Sequence, residues 1–182
     1  MVKKKAIILD RDGTLIEDRD YAYKIEDFEI LPGVIEGLNL LKERFLLFIV
    51  TNQSGIGKGY YSIENFHTFN NHLLNTLDKN RINIEKTYFC PHLTEDHCEC
   101  KKPKPKFIQL IAKEYNINLK ESWIIGDHPS DILFGLNGGC KTAYLRTGHG
   151  ERHVEELEQQ NIKPDIIIDN FLEACKLILN KN

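Results

Sequence analysis

Lys5-Ala6-Ile7-Ile8-Leu9-Asp10-Arg11-Asp12-Gly13-Thr14 is the stretch that decides the fold. An unbroken apolar run ends abruptly in two aspartates and a glycine. Such a short run reads as a strand buried on both faces, the kind found in parallel sheets. Alternate residues of an extended segment face the same way, so Asp10 and Asp12 can approach one site. Two close carboxylates repel unless a cation or a shared proton relieves them. A hard divalent cation such as Mg²⁺ suits that need. One carboxylate of such a pair can attack phosphorus, and the other can protonate the leaving oxygen and later activate water. An acidic turn bent at Gly13 would contain the same residues, so the later motifs decide between the two.

Further buried strands are expected at Phe45–Val50, Glu85–Phe89, Ser122–Ile125, Lys141–Leu145 and Pro164–Ile168. Between them lie helical patterns. One follows Pro32-Gly33 to about Arg44. A second is capped by Ser62 and carries Phe66, Phe69, Leu73, Leu74 and Leu77 on one face. Others cover Lys106–Tyr115, Pro129 or Ser130 to Asn137, Glu151–Asn161 and Asn170–Leu179. Alternating strands and helices predict an α/β fold: a doubly wound, mainly parallel, Rossmann-like sheet with helices on both faces. No linker, repeat or large inserted cap is apparent, so residues 1–182 read as one domain. Such sheets place ligands at the C-terminal ends of their strands. Asp10, Thr51 and Asp127 all fall there.

Four other constellations join the first. Thr51-Asn52-Gln53-Ser54-Gly55-Ile56-Gly57 offers a hydroxyl and successive backbone N–H groups to phosphate oxygens. Lys58-Gly59 follows, so this is not a Walker A loop. Lys102, beside Lys101, can offset charge on a transferring phosphoryl group. In Gly126-Asp127-His128-Pro129-Ser130-Asp131, Asp127 can complete a Mg²⁺ site with Asp10 and the Asp12 carbonyl. Asp131 reads equally as an orienting group and as a first-turn acid, and His128 as a substrate contact. Cys90, His92, Cys98 and Cys100 make a closed tetrahedral zinc set that would pin the loop at about 90–105. His97 competes with His92 as the fourth ligand.

Composition sets the outer bounds. The chain has 182 residues, 41% hydrophobic and 28% charged, ample for a core. The longest strongly apolar run, Phe45–Val50, is too short to span a bilayer. Lys3-Lys4-Lys5 starts like a signal peptide, but Asp10 interrupts the apolar stretch, so a cytoplasmic protein is expected. With a net charge of −3, a small anion suits the local lysines better than nucleic acid. The five cysteines are an odd number, which argues against a disulfide framework. Cys140 and Cys175 read as ordinary semi-buried thiols.

As a set, Asp10-x-Asp12-Gly13-Thr14, Thr51, Lys102 and Gly126-Asp127-x-x-x-Asp131 resemble the four motifs of the haloacid dehalogenase superfamily of phosphatases. The resemblance implies Mg²⁺ held by Asp10, Asp12 and Asp127, and an aspartyl-phosphate intermediate. Asp10 would be the nucleophile, Asp12 the general acid/base, and Thr51 and Lys102 the phosphoryl holders. The zinc motif is similar to that of two families within it, the D-glycero-D-manno-heptose 1,7-bisphosphate 7-phosphatases and the histidinol-phosphate phosphatases. Residues 21–29, 51–60 and 146–148 favour the heptose family. The resemblance then places Asp18, Arg19, Asp20, Tyr21, Thr51, Asn52, Gln53, Ser54, Lys101, Lys102 and His128 around a phosphosugar. Here Lys101 and His128 stand where that family commonly has arginine and lysine. The implied activity is removal of the 7-phosphate in nucleotide-activated heptose synthesis for lipopolysaccharide or another surface glycan, by a monomer. Histidinol-phosphate hydrolysis is the alternative. An inactive, zinc-stabilised phosphosugar-binding module is a third reading.

Overall fold

The computed structural model describes residues 3–181; residues 1–2 and 182 of the expected 1–182 unit lie outside the described residues. Six strands form one parallel sheet: β1 (Ala6–Leu9), β2 (Leu46–Asn52), β3 (Lys86–Cys90), β4 (Trp123–Gly126), β5 (Lys141–Leu145) and β6 (Ile166–Ile168). Their spatial order is β3-β2-β1-β4-β5-β6, the doubly wound order. The chain winds outward from β1 to β3, returns to β4 beside β1, and winds the other way. The crevice between β1 and β4 is therefore the switch point, where the loops after the two strands diverge.

The helices are α1 (Val34–Leu41), the single turn α2 (Ser54–Gly57), α3 (Ile63–Lys79), α4 (Lys106–Tyr115), α5 (Pro129–Gly138), α6 (Gly150–Gln159) and α7 (Phe171–Asn180). Strand alternation divides the core between them. Ile7 and Leu9 of β1 face one layer, with Val34 and Leu38 of α1, Phe69 and Leu73 of α3, and Phe171 of α7. Ala6 and Ile8 face the other layer, with Ile108 and Ile111 of α4 and Phe134 of α5. Leu157 of α6 extends that second layer against Tyr144 and Ile132. Helices thus cover both faces, and no large cap interrupts the described residues.

Of the expected boundaries that shift, the end of the second strand bears on the site. The second strand continues past Val50, because Thr51 and Asn52 pair with Phe89 and Cys90 of β3. Thr51 is therefore set by the sheet rather than by a loop. The segment after it closes into the α2 turn. Ser62 caps α3 as its sequence predicts, in a reciprocal capping box with Asn65. No helix among the described residues is long and apolar enough to cross a membrane.

The crossing of α1 and α7 leaves no room at Gly37. A Cβ there would lie 2.7 Å from Cys175 Sγ and 2.8 Å from Phe171 Cδ1. Gly37→Val should therefore cost about 1–3 kcal/mol by overpacking. Urea unfolding with an unchanged midpoint would contradict this packing.

Candidate active site

Asp10 follows β1, Asp127 follows β4, and their side chains meet across the switch point. The third carboxylate there is Asp131, on the first turn of α5. Oxygens of the three lie within 4.8 Å of one another. Lys102 enters from the opposite side. Its ammonium is 2.5 Å from Asp10 Oδ1 and 2.5 Å from Asp131 Oδ1, and it donates to the Val50 carbonyl at 3.0 Å. Burial alone would favour the neutral amine, but Asp10 and Asp131 outweigh it and hold the ammonium above its usual range.

One ammonium cannot neutralise three carboxylates. Burial pushes the Asp10 carboxyl up to about 7, opposed by Lys102 and reinforced by Asp131 and Asp12. Burial, with Asp10 and Asp131 nearby, raises Asp127 well above the ordinary carboxylate range. The excess negative charge fits a divalent cation beside Asp10 and Asp127. The backbone leaves room for it: Gly13 has φ +77°, and a Cβ there would stand 2.7 Å from Asp127 Cγ. Asp127 is oriented by the Thr14 hydroxyl at 3.3 Å and the His149 N–H at 2.9 Å.

The Asp12 side chain turns away from this cluster. It accepts from Arg11 Nε and Nη2 and, at 2.7 Å, from Gln53 Nε2. Thr51 is buried, and its hydroxyl accepts from Gln53 Nε2 at 2.8 Å. Asn52 holds Lys102 by the backbone: its Oδ1 accepts the Lys102 N–H at 3.0 Å, and its Nδ2 donates to the Lys102 carbonyl at 3.3 Å. Asp131 has both characters that the sequence left open. It is buried against Lys102, and it accepts the His128 N–H at 3.1 Å in the capping box of α5. His128 Nδ1 in turn accepts from the Ser130 N–H, and burial lowers the imidazole's pKa.

A cavity of about 350 Å³ opens over these groups. Asp18, Asp20, Tyr21, Thr51, Asn52, Gln53, Ser54, Lys101, Lys102 and His128 all line it, as expected. Arg19 does not. It makes an exposed pair with Glu29 at 2.7 Å, just before the chain turns through Asp20 and Tyr21, both at positive φ. Arg11, Tyr61, Ser130 and His149 line the cavity without having been singled out. His149 sits between Asp18 and Asp20, at 3.7 and 3.8 Å. Arg11 was legible as the middle residue of the first motif. The other three carry no sequence signal apart from their neighbours.

The cysteine loop forms a separate cluster. Sγ atoms of Cys90, Cys98 and Cys100 are 3.3–3.6 Å apart, and His92 Nδ1 is 3.6 Å from Cys90 Sγ and 3.3 Å from Cys100 Sγ. These separations are too long for disulfides. Four donors about 2.0–2.3 Å from one zinc ion would be roughly 3.4–3.8 Å apart, so the set fits zinc closely. His92 lies within the cluster, and His97 lies outside it. Lys101 and Lys102 follow directly, and Lys101 Nζ donates to the His92 carbonyl at 3.2 Å.

A doubly wound sheet with opposed carboxylates and a buried lysine at its switch point defines a phosphoryl-handling hydrolase. A HAD-hydrolase-like family model matches residues 99–174. D-glycero-alpha-D-manno-heptose-1,7-bisphosphate 7-phosphatase of Campylobacter jejuni is 43% identical over 79% of this chain and 83% of its own. D-glycero-beta-D-manno-heptose-1,7-bisphosphate 7-phosphatase of Helicobacter pylori is likewise 43% identical, with the same coverage. A solved D,D-heptose 1,7-bisphosphate phosphatase from B. bronchiseptica, complexed with magnesium and phosphate, superimposes with a TM-score of 0.87. It is 25% identical and covers 98% of this chain and 99% of its own. The chain belongs to this family of heptose-bisphosphate phosphatases.

The raised Asp10 carboxyl has a consequence for the Mg²⁺-free protein. A carboxyl whose pKa rises on folding stabilises the folded chain fully below its unfolded pKa of about 3.9. That contribution is lost as the pH rises through about 7. Without Mg²⁺, the stability advantage of Asp10→Asn over the parent should therefore widen between pH ~4 and pH ~7. Urea unfolding across that range checks it, and a pH-independent difference would contradict the buried-charge account.

Proposed function

We propose that the protein is a Mg²⁺-dependent phosphatase that removes the 7-phosphate of D-glycero-D-manno-heptose 1,7-bisphosphate, in nucleotide-activated heptose synthesis for a surface glycan. The observation that carries this reading is the buried Lys102 bridge between Asp10 and Asp131, with Asp127 alongside. It places a shielded carboxylate at the floor of a cavity large enough for a phosphosugar. The 43% identity to phosphatases of that name supplies the substrate class.

In this reading Asp10, Asp127 and the Asp12 carbonyl would hold Mg²⁺, which would supply positive charge to offset that of the phosphoryl group. An Asp10 carboxylate oxygen forms a bond to phosphorus as the bond from phosphorus to the sugar oxygen breaks. The electron pair leaves on the sugar oxygen, and Asp12 gives that oxygen its proton. A water oxygen then attacks the phosphorus of the aspartyl phosphate. Its proton passes to Asp12, the bond to Asp10 breaks, and phosphate departs. Lys102 and Thr51 bear on the equatorial oxygens. Asp18, Asp20, Tyr21, Lys101 and His128 face the sugar. Zinc on Cys90, His92, Cys98 and Cys100 is structural, since four protein donors leave no open position. We take residues 1–182 to act as one cytoplasmic, monomeric unit. Every position that catalysis requires is filled, which disfavours an inactive binding module.

The heptose bisphosphate should exceed histidinol phosphate in kcat/KM by orders of magnitude, with phosphate released from the 7-position in a Mg²⁺-dependent way. Relatives bear both alpha and beta names, so both anomers belong in the assay. A preference for histidinol phosphate would overturn the substrate assignment. Asp10→Asn should reduce turnover to background, and retained turnover would overturn the mechanism. Elemental analysis should find one zinc per chain, lost in Cys98→Ser together with several kcal/mol of stability. A zinc-free parent would contradict the structural site.

A further inference from the structure

The sequence suggests that Gln53 touches the substrate, but the structure gives its side chain other work. Gln53 is 4% exposed, and both ends of its amide are engaged. Nε2 donates to Asp12 Oδ2 at 2.7 Å and to Thr51 Oγ1 at 2.8 Å, while Oε1 accepts from the Tyr61 hydroxyl at 2.6 Å. The Asp12 carboxylate, an acceptor only, fixes which way the amide points, and the Tyr61 hydroxyl holds its far end. Turned over, Gln53 would set a carbonyl oxygen against the Asp12 carboxylate. Tyr61 is itself buried, and its ring stacks on Tyr23 at 5.3 Å between centroids.

Arg11 grips the same carboxylate from the other side. Its Nη2 donates to both Asp12 oxygens at 2.9 Å, and Nε donates at 3.1 and 3.2 Å. The guanidinium is held in turn by two rings, with Cζ 5.1 Å from the Phe69 centroid and 5.4 Å from that of Phe66. Its Nη1 has no hydrogen-bond partner, so Asp12 is the guanidinium's anchor. Arg11 and Gln53 are buried, whereas the Asp12 side chain is 21% exposed at the cavity. The arrangement is a two-sided clamp that leaves one edge of a single carboxylate open to the ligand.

We propose that Gln53 is a positioning residue: with Arg11, and locked by Tyr61, it fixes the Asp12 carboxylate where the proton must be delivered. This deepens the proposed mechanism and rests on its assignment of Asp12 as the acid/base. A proton donor must be within hydrogen-bond reach of the leaving oxygen. Misplacement by about 1 Å costs on the order of 100-fold. The clamp therefore matters most where a proton is needed. A sugar alkoxide leaves with Asp12's proton, whereas p-nitrophenolate leaves without one. For both substrates, the water attack on the aspartyl phosphate uses Asp12 as base.

Rapid-quench and steady-state kinetics with Mg²⁺ should compare the parent, Gln53→Leu, Tyr61→Phe and Asp12→Asn on heptose bisphosphate and on p-nitrophenyl phosphate. In Gln53→Leu the first turnover of the sugar phosphate should slow by about 10- to 100-fold, with KM little changed. The first turnover of p-nitrophenyl phosphate should keep its parental rate and be followed by a slow steady state, giving a burst of about one p-nitrophenol per site. Tyr61→Phe, which removes a single oxygen, should show the same pattern more weakly, and it decides the matter alone if Gln53→Leu does not fold. Three results would overturn the clamp: a raised KM at unchanged kcat, equal slowing of both first turnovers, or parental kinetics in both variants. If Asp12→Asn itself turned over the sugar phosphate normally, the acid/base assignment would fall and the clamp with it. Normal Gln53→Leu beside a crippled Asp12→Asn would remove the clamp alone.

Discussion

Everything in the site depends on one buried ammonium. Lys102 joins the end of β1, the C-terminal half of β2 and the start of α5 through Asp10, the Val50 carbonyl and Asp131. A buried charge without a partner is costly. Here each charge is the other's partner, so the loop bearing Lys102 and the helix bearing Asp131 are drawn to the nucleophile candidate. The pairing is also deliberately incomplete in charge: three carboxylates face one lysine, and the remaining negative charge defines a place for a divalent cation.

The cysteine loop makes sense in that light. Lys102 lies in a stretch with little regular structure, and such segments are held poorly by backbone hydrogen bonding alone. Its position is secured from two directions. Cys98 and Cys100, just before it, join Cys90 and His92 in the four-donor cluster. The Asn52 amide grips its backbone through both the N–H and the carbonyl. Because Asn52 and Cys90 pair across β2 and β3, both anchors refer the lysine back to the sheet. The sheet thus supplies precision to a loop residue whose ammonium must sit within hydrogen-bonding distance of Asp10.

Much of this was legible in the residues. Short apolar runs alternating with helical periodicity pointed to the doubly wound α/β class, while the strand order that sets the switch point comes from the pairing of the strands. Strand-end aspartates pointed to the carboxylates, and the density of thiols to the four-donor cluster of Cys90, His92, Cys98 and Cys100. What escaped was side-chain direction. Arg19 shares a segment with Asp18 and Asp20 yet turns to Glu29, and the character of Gln53 depends on a tyrosine eight residues on. Asp131 was ambiguous because a first-turn acid and a buried ion-pair partner occupy the same sequence position, and here it is both, capping α5 through the His128 N–H and pairing with Lys102. His149 reaches Asp127 through a backbone N–H, a contact that residue type does not encode.

In the proposed mechanism Asp10 becomes covalently phosphorylated while Lys102 shields the charge around it. The most direct test is to acid-quench the enzyme during turnover of the heptose bisphosphate with Mg²⁺ and map the phosphoryl group by peptide mass spectrometry. A phosphoryl group is expected on the peptide containing Asp10, attached to that side chain and discharged when the quench is delayed beyond substrate exhaustion. Turnover at full rate with no covalent phosphoryl group trapped at any time, or one trapped on another residue, would contradict that mechanism.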